Sequence, residues 1–110
     1  MVSVFLDAIP ANVRAARALC NDNEENNAMF FNVGMLIRIR GDKKLILKRE
    51  VIDGAIGRGL TENEWQSIMW NYIGVITKSS HSEIVFEDSE ESTIMDAYWD
   101  KQLERIKKKT

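Results

Sequence analysis

Between Ala28 and Arg40 an apolar residue stands at every second position: Met29, Phe31, Val33, Met35, Ile37 and Ile39. That is the period of a β-strand with one face on a core. Phe30, Asn32, Gly34, Leu36, Arg38 and Arg40 fall on the other face. Gly41-Asp42-Lys43 reads as a turn, and Leu45 to Ile52 as a second strand. A three-residue loop sets Ile39 opposite Leu45 and Ile37 opposite Leu47, which keeps the apolar face in register.

Helical spacing flanks this hairpin. Asp7 is the expected N-cap of a first helix with Pro10 in its first turn, where the missing N–H costs nothing. Ile9, Val13, Ala16 and Cys20 form its apolar stripe. Asn21 to Asn27, seven polar residues, read as a loop. Residues 2 to 6 read as an edge strand or the lead-in to that helix. Asp53 to Gly59 holds three glycines and reads as a loop. Thr61 and Glu64 have capping-box spacing, which predicts a helix with Trp65, Ile68, Met69, Tyr72, Ile73 and Ile76 on one face. Lys78 to Ser82 reads as a polar loop and Glu83 to Glu87 as a short strand. A last helix, capped by Ser89, carries Met95, Tyr98, Trp99, Gln102, Leu103 and Ile106 on its apolar side. Its acidic start and its basic end at Lys107 to Lys109 suit the helix dipole.

The fold class expected is α+β: a small antiparallel sheet centred on a 28–52 hairpin, covered by about three helices. The core face carries Met35, Ile37, Ile39, Leu45 and Leu47, packed against Trp65, Met69, Tyr72, Met95, Trp99 and Ile106. Residues 1–110 form one domain by size. With 45% hydrophobic and 29% charged residues the composition is globular.

One cysteine, Cys20, allows no intramolecular disulfide. The start Met-Val-Ser-Val-Phe-Leu-Asp lacks a basic region and a full apolar run, so no signal peptide is expected and the location expected is cytoplasmic. One cysteine and one histidine cannot build a structural zinc site, and no calcium-loop spacing occurs. No cofactor or metal is expected. His81 lies among serines in a polar stretch, and Cys20 on an apolar stripe reads as an inert thiol. The Gly54–Gly59 loop with Arg58 could cradle an anion, but it has neither the dinucleotide nor the nucleotide-loop pattern. Glycine supplying positive φ in a plain connection accounts for it. Arg40-Gly41-Asp42 spells an integrin tripeptide by coincidence. These residues give no enzyme of a motif-defined class, so the chain is expected not to be an enzyme.

Two charge clusters point to binding. Five acids and no base lie between Glu83 and Glu91: Glu83, Glu87, Asp88, Glu90 and Glu91. With Trp70, which falls off its helix face, they form the expected docking surface for a protein partner, a basic one by charge. A small inhibitor or immunity-type protein that neutralises its partner fits this size and composition. The alternative is a nucleic-acid binder using Arg38, Arg40, Lys44 and Lys48 on the outer face of the hairpin. Against it stands the net charge of −2.

Overall fold

The computed structural model describes residues 1–90, 94, 95, 97, 98, 101 and 102. Strands β1 (Val2–Asp7), β2 (Met29–Val33), β3 (Leu36–Gly41) and β5 (Tyr72–Ile73) form one antiparallel sheet in the order β2-β3-β1-β5. Strands β4 (Lys44–Lys48), β6 (Val75–Ser79) and β7 (Glu83–Glu87) form a second, in the order β4-β7-β6. Helices α1 (Pro10–Asp22), α2 (Arg49–Ile56) and α3 (Glu62–Ser67) accompany them. The class is thus α+β, with two small antiparallel sheets accompanied by the helices α1–α3 among the described residues.

The hairpin inside 28–52 turns at Gly34 rather than at Gly41, seven residues earlier than the alternation predicts. Val33 pairs with Leu36, so the turn is Gly34-Met35, with Gly34 at φ 63°. Glycine at the first central position is what a two-residue type II′ turn requires. The turn reverses the parity of the pattern. Phe30 and Asn32 share a face with Ile37 and Ile39, while Met29, Phe31 and Val33 share the face of Arg38 and Arg40. Met35, expected in the core, sits in the turn and is 88% exposed. Gly41 to Lys43 is not a hairpin turn but the corner at which the chain passes from the first sheet to the second. Gly74, at φ 142°, makes the same passage between β5 and β6. A Cβ there would stand 2.8 Å from the Glu87 carbonyl oxygen.

Several elements differ from their expected form. β1 is internal, flanked by β3 and β5, rather than an edge. Ile9, not Asp7, occupies the N-cap of α1, and the buried stripe is Ala15, Ala16 and Leu19. β4 ends at Lys48, and Val51 and Ile52 belong to a helix that runs to Ile56 and closes on Gly57 at φ 80°. The capping box forms as expected: Glu64 N–H donates to Thr61 Oγ1, and Thr61 N–H donates to Glu64 Oε1. Arg58 and the Thr61 amide hold the Glu64 carboxyl down at about 2. The helix ends at Ser67, however, and after a 3₁₀ turn (Ile68–Trp70) Tyr72, Ile73 and Ile76 lie in strands. Glu83 to Glu87 is a strand as expected.

Val2, Val4, Ile37, Ile39, Leu45, Leu47, Ile84 and Phe86 are fully buried and meet Leu19, Ile52, Trp65 and Ile68 from the helices. Of the last helix, Glu90, Ile94, Met95, Ala97, Tyr98, Lys101 and Gln102 are helical. Met95 and Tyr98, expected on its apolar side, are 45% and 55% exposed. Trp99, Leu103, Ile106 and Lys107 to Lys109 lie outside the described residues.

Asn23 joins the layers. Its side chain is buried at the end of α1, where Nδ2 donates to the carbonyls of Leu19 (2.9 Å) and Ile46 (2.8 Å). Its Oδ1 accepts from Ile46 N–H at 2.8 Å. One side-chain amide therefore satisfies both backbone groups of Ile46 on the outer edge of β4, as a neighbouring strand would.

Half-buried on α1, Cys20 has its thiol pushed up to about 11 by desolvation. Relative to its ordinary value of 9.0 this lowers the thiolate fraction at pH 8 by about 100-fold. Iodoacetamide should accordingly label the native chain about two orders of magnitude more slowly than the unfolded chain.

Candidate functional site: an apolar groove capped by Trp70

The 3₁₀ turn after α3 ends in Trp70, and the chain then enters β5, where Phe5 N–H donates to the Asn71 carbonyl at 2.9 Å. That geometry holds the Trp70 backbone against β1 while its indole stands 79% exposed. Beside it lies a groove of about 410 Å³ between α1, α2, α3 and the end of β1. Ala15, Ile52 and Ile68 form its buried floor, and Ile9, Leu36 and Ile56 contribute to its walls. Ile9 is 51% exposed. Met35 belongs to the same end of the molecule, because Ala8 N–H donates to its carbonyl at 2.9 Å.

The polar groups of the groove are largely occupied. Arg58 donates to both oxygens of Glu64, at 2.9 and 2.7 Å. Asn12 donates to the Asp7 carbonyl and Ser67 to that of Glu64. Arg58 is therefore engaged by a carboxylate, which removes the cation that an anion cradle in the Gly54–Gly59 segment requires. Gly57 instead supplies the left-handed residue that ends α2. Among the described residues no three His, Cys, Asp or Glu side chains gather where a metal could be held. An apolar floor, satisfied polar walls and a standing tryptophan suit the insertion of a side chain from another protein.

The acidic residues are elsewhere. Glu83 and Glu87 lie on β7, directly across from Lys48 and Lys44 of β4. Glu83 also lies 3.6 Å from Lys78, and Asp88 holds the N-terminal ammonium at 2.8 Å. Glu90 is exposed, and Glu91 lies outside the described residues. Asp88 meets Met1 at one end of β1, and Trp70 stands at the other, roughly 17 Å away along six strand residues. Trp70 and the acidic cluster are thus two separate places.

The basic face of the nucleic-acid alternative is not formed. Arg38 is fully buried in the first sheet, where its Nε donates to Ser3 Oγ at 3.0 Å and its guanidinium lies over Phe31. Arg40 is half-buried beside it, and Lys44 and Lys48 belong to the second sheet, interleaved with carboxylates. Hairpin pairing of β3 with β4 was the premise that put all four on one ribbon, and those strands do not pair.

His81 is exposed near Glu62, with Nδ1 at 3.3 Å. Sequence reasoning missed the residue that organises this corner, Arg49. It donates to Glu62 Oε2 (3.0 Å) and to the carbonyls of His81 (3.2 Å) and Leu60 (2.6 Å), and it stacks on Trp65. Trp65 donates from Nε1 to the Ser80 carbonyl at 2.9 Å. These bonds fix α3 against the second sheet, while the turn that follows it carries Trp70 to β1 of the first. Read as a strand residue in a basic run, Arg49 gave no signal of this role. The groove itself has no signature in the sequence, where Ile9 reads as part of the first helix's apolar stripe and Ile52 as a strand residue.

No family model and no curated protein sequence matches the chain. Among solved structures, two chains described as the structure of the phenol hydroxylase–regulatory protein complex share its fold. The first aligns with a TM-score of 0.60 at 22% identity, over 80% of this chain and 98% of its own length. The second aligns with a TM-score of 0.57 at 22% identity, over 78% and 96%. No helix among the described residues is long and apolar enough to cross a membrane.

Proposed function

We propose that this chain is a non-catalytic regulatory component that docks on a partner enzyme by the apolar groove and its Trp70 rim. The observation that carries the reading is a tryptophan 79% exposed on a hydrogen-bonded turn, beside a groove whose floor is apolar. An indole left in water at a rigid position costs solvation and offers a large area for burial, which is the profile of an interface anchor. The likeness in fold to chains of a hydroxylase–regulatory protein complex supports an enzyme partner of the hydroxylase kind. The same likeness favours regulation over the neutralising, immunity-type role that size and composition suggest.

The acidic residues have a secondary part in this proposal. Glu87 and Glu90 contribute to encounter, while the cross-strand lysines damp their field at longer range. Titrating the chain into its hydroxylase partner should change turnover until one chain is bound per site. Trp70→Ala should shift the midpoint of that titration upward by at least about tenfold, as loss of an anchor does. The pair Glu87→Lys and Glu90→Lys should move it less than about threefold at physiological salt. If the Trp70 variant titrates like wild type, the groove is not the docking site. If neither variant nor wild type alters turnover, the regulatory reading fails.

A further inference from the structure

Among the described residues four strands end the two sheets, and three of those edges are guarded. β4 carries Lys44 and Lys48, and the Asn23 amide occupies both backbone groups of Ile46. β6 carries Lys78 and a bulge between Ile76 and Lys78. β5 is only two residues long. Edge charges, bulges and shortness are the usual means of preventing strand addition. β2 has none of them. Its sequence, Met-Phe-Phe-Asn-Val, is five residues long without charge, proline or bulge.

The backbone of β2 is set for a partner. In a two-residue hairpin the residues flanking the turn exchange hydrogen bonds, so the bonded pairs are Val33–Leu36, Phe31–Arg38 and Met29–Arg40. The N–H and C=O groups of Phe30 and Asn32 therefore point away from β3, and no described residue bonds to them. These two residues are placed symmetrically about Phe31.

We infer that β2 is a homodimerisation edge, pairing antiparallel with β2 of a second copy across a two-fold axis at Phe31. In that register Phe30 exchanges hydrogen bonds with Asn32 of the other copy, and Asn32 with its Phe30. The two Phe31 residues face each other in the non-bonded position, where side chains come closest. Met29 lies opposite Val33 on both sides, so one face gains an unbroken ladder of six apolar side chains. Met29, now 65% exposed, is covered by this ladder. The occupant follows from self-complementarity. A strand without charge has no preference for a charged peptide, and its outward groups match their own copy in number, spacing and direction.

Sedimentation of the full chain from micromolar to millimolar concentration should show the mean mass rising from one chain towards two. In a mixture of isotope-labelled and unlabelled chains, intermolecular contacts should connect one Phe31 ring to the other. Asn32→Pro removes an outward N–H while leaving every β2–β3 bond in place, and should raise the dissociation constant by at least about tenfold. Met29→Lys should raise it as well, without touching the backbone, and decides the matter if the proline variant does not fold. A chain that stays single to millimolar concentration overturns the inference. So does a dimer that both variants leave unchanged, or one whose intermolecular contacts exclude Phe31. Protection of the Phe30 and Asn32 amides only when a different protein is added would likewise assign the edge to that protein.

Discussion

Ile37→Asp should lower the stability of the folded chain by about 3–5 kcal/mol, because it places a carboxylate with no partner in the core. Ile37 is fully buried on β3, opposite Leu6 of β1 and Asn32 of β2. A domain of this size has only about 5–15 kcal/mol to lose. The thermal midpoint should fall by roughly 12–24 °C, measured at neutral pH by circular dichroism. The loss should shrink in acid. The buried carboxyl has a raised pKa in the folded state, so its penalty is present at neutral pH and is relieved as protonation neutralises it. Met35→Asp, two residues away on an 88% exposed side chain, should melt within a few degrees of wild type. Equal melting of the two variants would mean that the parity of the hairpin has been misassigned.

The second large effect is expected at Asn23. Replacing it by Ala removes three hydrogen bonds, to Leu19 and to both backbone groups of Ile46. At about 1 kcal/mol each, with a further cost for leaving buried groups unpaired, the variant should lose roughly 3–4 kcal/mol. Asn23→Asp is no rescue above the carboxyl pKa, because a carboxylate would then face two carbonyl oxygens. Its deficit should decrease as the pH falls and one oxygen regains a proton to donate. Hydrogen exchange offers a local check: the Ile46 amide should be slow in the native chain and among the first to exchange in Asn23→Ala. An unchanged Ile46 rate in that variant would contradict the bridge between α1 and β4.

What could be read from the sequence follows from how far each signal reaches. The capping box at Thr61 and Glu64 and the strand Glu83–Glu87 are local patterns, and both form. Ile37, Ile39, Leu45 and Leu47 are buried as their alternation requires. The alternation runs unbroken through Gly34-Met35, however, because a two-residue turn removes no apolar position from the pattern. The glycine preceding Met35 was the available signal, and it was outweighed by the period. Val51 and Ile52 favour a strand by propensity, yet Ile52 and Ile56 lie one helical turn apart and face the core and the groove. Which strands pair is a matter of contacts distant in the chain. Nothing near Arg38 discloses that β1 and β2 flank and bury it, nor near Glu87 that Lys44 lies across from it.

The candidate site divides in the same way. Trp70 stood off its helix face in the sequence, and it is exposed in the structure. The acidic residues formed one cluster along the chain, but Glu83, Glu87 and Asp88 each meet a cation or face one across a strand pair. A run of like charges in sequence is not a field in space when the neighbouring strand carries the opposite sign.

The docking claim is tested most directly by the dissociation rate of the complex between this chain and the hydroxylase proposed as its partner, compared for wild type and Trp70→Ala. An anchor in an apolar groove acts on residence time, so the variant should leave at least about tenfold faster with an association rate changed by less than about twofold. Equal dissociation rates for the two chains would contradict the account.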